Sequence, residues 1–159
     1  MLSYQVLDRV ADSHNPVLGI IWLSLSVAPF ASRQWRKALS RFIAGLACLL
    51  VAYGLMWVDS ITQLWGQLSL DYSSHTAVAV ALLGAICASS RRLGFLAAAL
   101  IGLYVPLMIY QGYHSLADIA STALAVGVPV WALAYVGSSR DTRQTANSSF
   151  KPKPLRGSA

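Results

Sequence analysis

Residues 74–118 read SHTAVAVALLGAICASSRRLGFLAAALIGLYVPLMIYQGYHSLAD. Two apolar runs, 74–90 and 92–110, meet at Arg91-Arg92. Each is close to the ~17–25 apolar residues that a helix needs to cross the hydrocarbon core of a bilayer. The pair therefore reads as a membrane hairpin with a basic turn. Polar side chains gather at its other end: His75 where the first run begins, His114 and Asp118 just past the end of the second.

Working outward, three more stretches have the same character: 16–32, 41–58 and 116–136. Five crossings make an all-α, polytopic membrane helix bundle occupying residues 1–136 as a single domain. The polar tail 137–159, with Pro152 and Pro154, reads as a disordered basic segment. Small residues inside the runs (Gly45, Gly54, Gly84, Gly102, Gly127 and many Ala and Ser) allow close helix contact. Pro106 and Pro129 are tolerable in membrane helices as kinks. The first run is not read as a cleaved signal peptide, because its basic cluster follows it and no A-x-A site is present.

Composition agrees. The 159 residues are 56% hydrophobic and 11% charged, with no Glu. A soluble domain carries about 25% charged residues, so a soluble enzyme and a disordered chain are both excluded. The net charge of +6 is not a nucleic-acid footprint, since the basic residues lie in short clusters between apolar runs. Cys48 and Cys87 fall within those runs and read as small core residues.

The basic clusters set the orientation. Arg33, Arg36, Lys37 and Arg41 follow the first run, Arg91 and Arg92 sit in the hairpin turn, and Arg140, Arg143, Lys151, Lys153 and Arg156 occupy the tail. In a five-helix chain these segments share one side, leaving only Arg9 on the other. The positive-inside rule then puts the N-terminus outside and the C-terminus in the cytoplasm. The expectation is a bacterial inner-membrane protein with its polar cluster on the outer face.

That cluster combines His75, His114 and Asp118 at one depth. Residues 114 and 118 are i and i+4, on one helix face, so Asp118 is placed to orient one imidazole nitrogen and leave the other free as nucleophile or base. His75, from another helix, is placed to protonate a leaving group. Two plainer readings stand beside this one. Ser115-x-x-Asp118 fits a helix-capping box, and Ser73 or Ser74 fits an N-cap. His14 reads as an ordinary exposed histidine.

The segments YSSHTA (72–77) and GYHSLADI (112–119) resemble the second and third motifs of the type 2 phosphatidic acid phosphatase superfamily, P-S-G-H and S-R-x5-H-x3-D. That superfamily contains membrane lipid phosphatases and vanadium haloperoxidases. The resemblance covers about 55–136 and implies a core of that type. It also implies an enzyme that cleaves a phosphomonoester or pyrophosphate of a lipid through a phosphohistidine. His114 resembles the nucleophile, Asp118 its orienting acid and His75 the general acid, while Ser73 and Ser74 stand at the phosphate-holding places. Tyr72 occupies the proline place. Met108 and Leu107 stand where the third motif has arginine and serine, and the first motif, K-x6-R-P, has no counterpart. Arg9 is the one outer side chain with the charge to assist a phosphate. The sphingomyelin-synthase-like branch, with S-G-H-T and no K-x6-R-P, is also similar, implying phospho-head-group transfer as the alternative; a catalytically inactive relative is a third reading. No metal or cofactor is expected, and the partners expected are membrane lipids and a lipid phosphate.

Overall fold

The computed structural model describes the backbone of residues 4–149 and the side chains of residues 5–134. Among the described residues every regular element is helical: α1 (Tyr4–Ala31), α2 (Trp35–Thr62), the single turn α3 (Leu64–Gln67), α4 (Ser74–Ser89), α5 (Arg91–Tyr110) and α6 (Leu116–Ser149). Four of them are long and apolar enough to cross a membrane: Gln5–Ala31, Trp35–Thr62, Arg91–Tyr110 and Leu116–Ala134. The fifth expected crossing, α4, is apolar but has only 16 residues. At 1.5 Å per residue it is about 24 Å long, against a hydrocarbon core of about 30 Å.

The short helix is the centre of the bundle. It packs against α1, α2, α5 and α6, and a helix surrounded in this way must be apolar on every side. Half of its residues are buried, among them Ala77, Ala79, Ala81, Leu82, Gly84, Ala85 and Ile86. The sequence achieves this with small side chains. A Cβ on Gly84 would strike the Val130 side chain of α6, and one on Gly94 would strike Cys87. Close approach of this kind drives helix association where no solvent is present to do so.

Paired contacts give the directions. Leu18 and Trp22 of α1 share a core with Leu82 and Ile86 of α4, and Asn15 reaches His75, so α1 and α4 run parallel. Ser73 bonds to Thr122 and Val130 meets Gly84, so α6 runs parallel to both. α2 and α5 run the opposite way. At one end, Arg41 Nη1 donates to Leu25 O (3.1 Å) and Nη2 to Ser89 O (3.3 Å), satisfying a terminal carbonyl of α4. Arg33, Arg36, Lys37, Arg91 and Arg92 belong to this same end, so the basic segments on either side of α2 and α4 do share a side.

Two boundaries differ from the sequence reading. The first run was expected to begin at Pro16, but α1 is continuous from Tyr4 and carries Pro16 inside it. Before Pro16, Ala11 packs with Tyr104 and Met108 of α5, and after it Leu18 and Trp22 pack against α4; packing on both sides outweighs the one backbone bond a proline removes. At the other terminus α6 stays helical to Ser149; the rest of the expected tail, 150–159, lies outside the described residues.

Candidate functional site

The end of the bundle opposite Arg41 collects the polar groups. It is built where α4 starts. Asn15 of α1 is level with His75, so Tyr4–His14 projects past the first turn of α4 by about 16 Å. The end of α5 rises beside that projection: the His14 ring stacks on Tyr104 at 4.2 Å and 5°, and Tyr113 hydroxyl donates to Asp8. Ala11, Tyr104, Met108 and Ile119 form a separate small core there.

The approach to α4 is held by a loop pinned to both neighbours. α2 ends at Gln63, in the left-handed region (φ 51°), and Asp59 Oδ1 accepts from the Trp65 N–H at 2.8 Å. Trp65 Nε1 donates to Ser121 Oγ of α6 (3.0 Å), and its ring meets Tyr72 edge-on at 4.9 Å. Tyr72 hydroxyl donates to Ala52 O of α2 (2.7 Å). Burial of the phenol, with the Asp59 charge adding to it, pushes the Tyr72 pKa up to about 12, so this hydroxyl remains a donor across ordinary pH.

Ser73 then caps α4. Its Oγ accepts from Thr76 N at 3.3 Å and its own N–H donates to Thr122 Oγ1 at 3.1 Å. Ser73 is fully buried, so the capping alternative is realised and the hydroxyl is committed to the fold. Ser74 is half-buried in the first turn and His75 is exposed. The N–H groups of Ser74 and His75 have no acceptor among the described residues, and they stand at the positive end of the helix dipole.

α6 begins with the second capping structure. Ser115 N–H and Oγ–H both donate to Asp118 Oδ2 (2.8 and 2.7 Å), and Asp118 N–H donates back to Ser115 Oγ (3.2 Å). This is the reciprocal box that the S-x-x-D spacing allows. Asp118 Oδ1 accepts from the Asp71 N–H at 2.8 Å. Asp118 is 8% exposed, and both its oxygens are thus engaged by Ser115 and the loop.

His114, 12% exposed, directs its Nδ1 at a different acid: Asp71 Oδ2 lies 3.6 Å away. It is the one ion-pair contact within 4 Å among the described residues. Nδ1 is otherwise buried without a hydrogen-bond partner. So the three residues singled out by spacing do lie at one end of the bundle, but the expected His114–Asp118 contact is replaced by two links, Asp118 to Asp71 and Asp71 to His114. Arg9 is exposed on α1 and makes no ion pair or hydrogen bond among the described residues.

Sequence reasoning passed over Asp71, Asn15 and Gln111, and read His14 as an ordinary exposed histidine. His14 is half-buried rather than exposed, because α1 already packs at that level. His14 Nε2, Asn15 Oδ1 and both amide atoms of Gln111 are buried without partners, and unsatisfied polar atoms in such numbers at one end mark a place for water or ligand. The spacing Ala11, Asn15, Leu18, Trp22 carries a signal that would have found the first two, since it continues the buried face of α1 upward. Asp71 carried none, being a loop residue remote in sequence from His114. Among the described residues no group of three His, Cys, Asp or Glu side chains is placed to hold a metal. No family model, curated protein or solved structure matches the chain.

Proposed function

We propose that the protein is an integral membrane enzyme of the type 2 phosphatidic acid phosphatase kind, which cleaves a phosphomonoester or pyrophosphate of a lipid. What supports the reading is one observation: an acid-facing histidine, His114, and an exposed histidine, His75, stand at the same end of an apolar bundle, beside a helix start with open N–H donors. In this scheme His114 Nε2 attacks phosphorus and the bond to the leaving oxygen breaks. That oxygen takes a proton from His75. Water, deprotonated by His75, then attacks the phosphohistidine, releasing phosphate and free His114. The N–H groups of Ser74 and His75 and the dipole of α4 bind the phosphate. The topology that goes with this function places the site on the outer face of a bacterial inner membrane, with the basic end in the cytoplasm.

The test is hydrolysis of phosphatidate, phosphatidylglycerol phosphate and an isoprenyl pyrophosphate by the purified full chain in nanodiscs. Phosphate release from at least one of them is expected, with a loss of about 10³-fold or more in His114→Ala. Undiminished turnover in that variant would overturn the mechanism. A new phospholipid without free phosphate would mean head-group transfer. A second reading, a lipid-binding relative without activity, is favoured by one observation: no Lys or Arg side chain bonds to a site residue among the described residues. It predicts no turnover of any of the three lipids.

A further inference from the structure

We propose that Asp71 is the positioning residue of His114, and that Asp118 serves this by holding the Asp71 backbone in place. The observations form a chain. Asp118 Oδ1 holds the Asp71 backbone N–H, while Oδ2 is filled by two donors from Ser115. The Asp71 carboxylate, fixed by that backbone bond, faces His114 Nδ1. Nδ1 is buried and has no other partner. The other acids of this end are engaged elsewhere: Asp8 accepts from the Tyr113 hydroxyl, Asp59 accepts from the Trp65 N–H, and the charge of Asp12 on α1 acts on Tyr104; His14, His75 and Arg9 carry no negative charge to offer an imidazolium.

The consequence is chemical. A carboxylate at Nδ1 selects the tautomer with the proton on Nδ1, which leaves the Nε2 lone pair available. Nε2 is the atom that the proposed reaction uses as nucleophile; the link to that reaction rests on the functional reading above, whereas the tautomer does not. At 3.6 Å the contact is too long for a hydrogen bond, and such pairs commonly tighten only when a substrate fills the site. Asp71 is 77% exposed, so its ion pair stabilises the fold little. Its role is directional, and the two links from α6 supply the direction.

The experiment is nitrogen NMR on the full chain in nanodiscs with labelled histidine, the His114 signals being assigned by their loss in His114→Gln. In the unaltered protein neutral His114 is expected to carry its proton on Nδ1. In Asp71→Ala it shifts towards the Nε2–H form, Asp71→Glu restores part of the Nδ1–H population, and Asp8→Asn leaves the tautomer unchanged. Asp118→Asn, by freeing the loop, produces the Asp71→Ala shift, and the double variant is no worse than Asp71→Ala alone. On a lipid that the protein hydrolyses, Asp71→Ala lowers kcat roughly 10–100-fold with KM little changed. An unchanged tautomer in Asp71→Ala overturns the proposal, as does a shift confined to Asp118→Asn. Because Asp71 is exposed, its variants fold even if Asp118→Asn does not. If no lipid is turned over, the enzymatic reading fails while the tautomer still decides the pair.

Discussion

Tyr72 shows how much a single side chain can hold at the mouth of a bundle. Its ring lies against Trp65 and its hydroxyl reaches across to Ala52 O, so it ties the loop that carries Asp71 to α2. Tyr72→Phe removes one hydrogen bond and should cost about 1 kcal/mol, read as a lowered unfolding temperature in detergent. The same residue predicts a pH effect. An unfolded tyrosine titrates near pH 10, and burial, then Asp59, raises the folded value to about 12. The fold thus favours the neutral phenol. That contribution is complete below about pH 10 and is lost as pH rises towards 12, so the alkaline loss of stability should be smaller in Tyr72→Phe. Ser115 belongs to this scale as well: Ser115→Ala breaks the box with Asp118 and should cost about 0.5–2 kcal/mol. The box was legible in the S-x-x-D spacing because capping is local. The His114–Asp71 contact was not, because it depends on how a loop is laid against a helix start.

Among the elements, α4 decides the architecture by being small rather than long. Gly84 admits the Val130 side chain of α6, and bulk at this position must separate the two helices. Gly84→Val should destabilise by about 1–3 kcal/mol, and Val130→Ala combined with Gly84→Ala should recover most of the loss seen in Gly84→Ala alone, both followed by thermal unfolding. The runs 41–58 and 92–110 were legible because their period and length are intrinsic to the chain, and α2 and α5 contain them. The N-terminal turns of α1 were not. A proline at position 16 reads as a start signal, whereas packing against α4 and α5 continues the helix through it.

Across the described residues, clustered Arg and Lys lie at one end of the bundle and the histidines with most of the acids at the other. The basic end is tied together by Arg41 across α1 and α4, and the polar end carries His75, His114 and Asp71. In a chain whose Cys48 and Cys87 are replaced by Ala, single cysteines at the exposed positions Gln67 and Arg36 should therefore react with an impermeant maleimide from opposite sides of a sealed membrane vesicle, Gln67 from the outer side. Reaction of both from one side would reject the topology. Arg41 is more than a topology signal, since its two carbonyl contacts come from two helices; Arg41→Ala should cost about 1–3 kcal/mol.

What the sequence determined by itself was the class of molecule, an all-helical bundle with membrane-length apolar helices. Scarce charge, apolar runs of membrane length and clustered Arg and Lys each act through bulk solvation, which needs no knowledge of neighbours. That His75 and His114 lie at one end followed from the order of the runs. What only the tertiary structure decided was which groups meet. A short central α4 set the level of His75, the cap of α6 consumed the Asp118 oxygens, and a loop pinned by Tyr72 and Trp65 brought Asp71 to His114. Hydrogen bonds act over about 3 Å, so partners are chosen by the packing of distant segments, and spacing along one helix cannot name them.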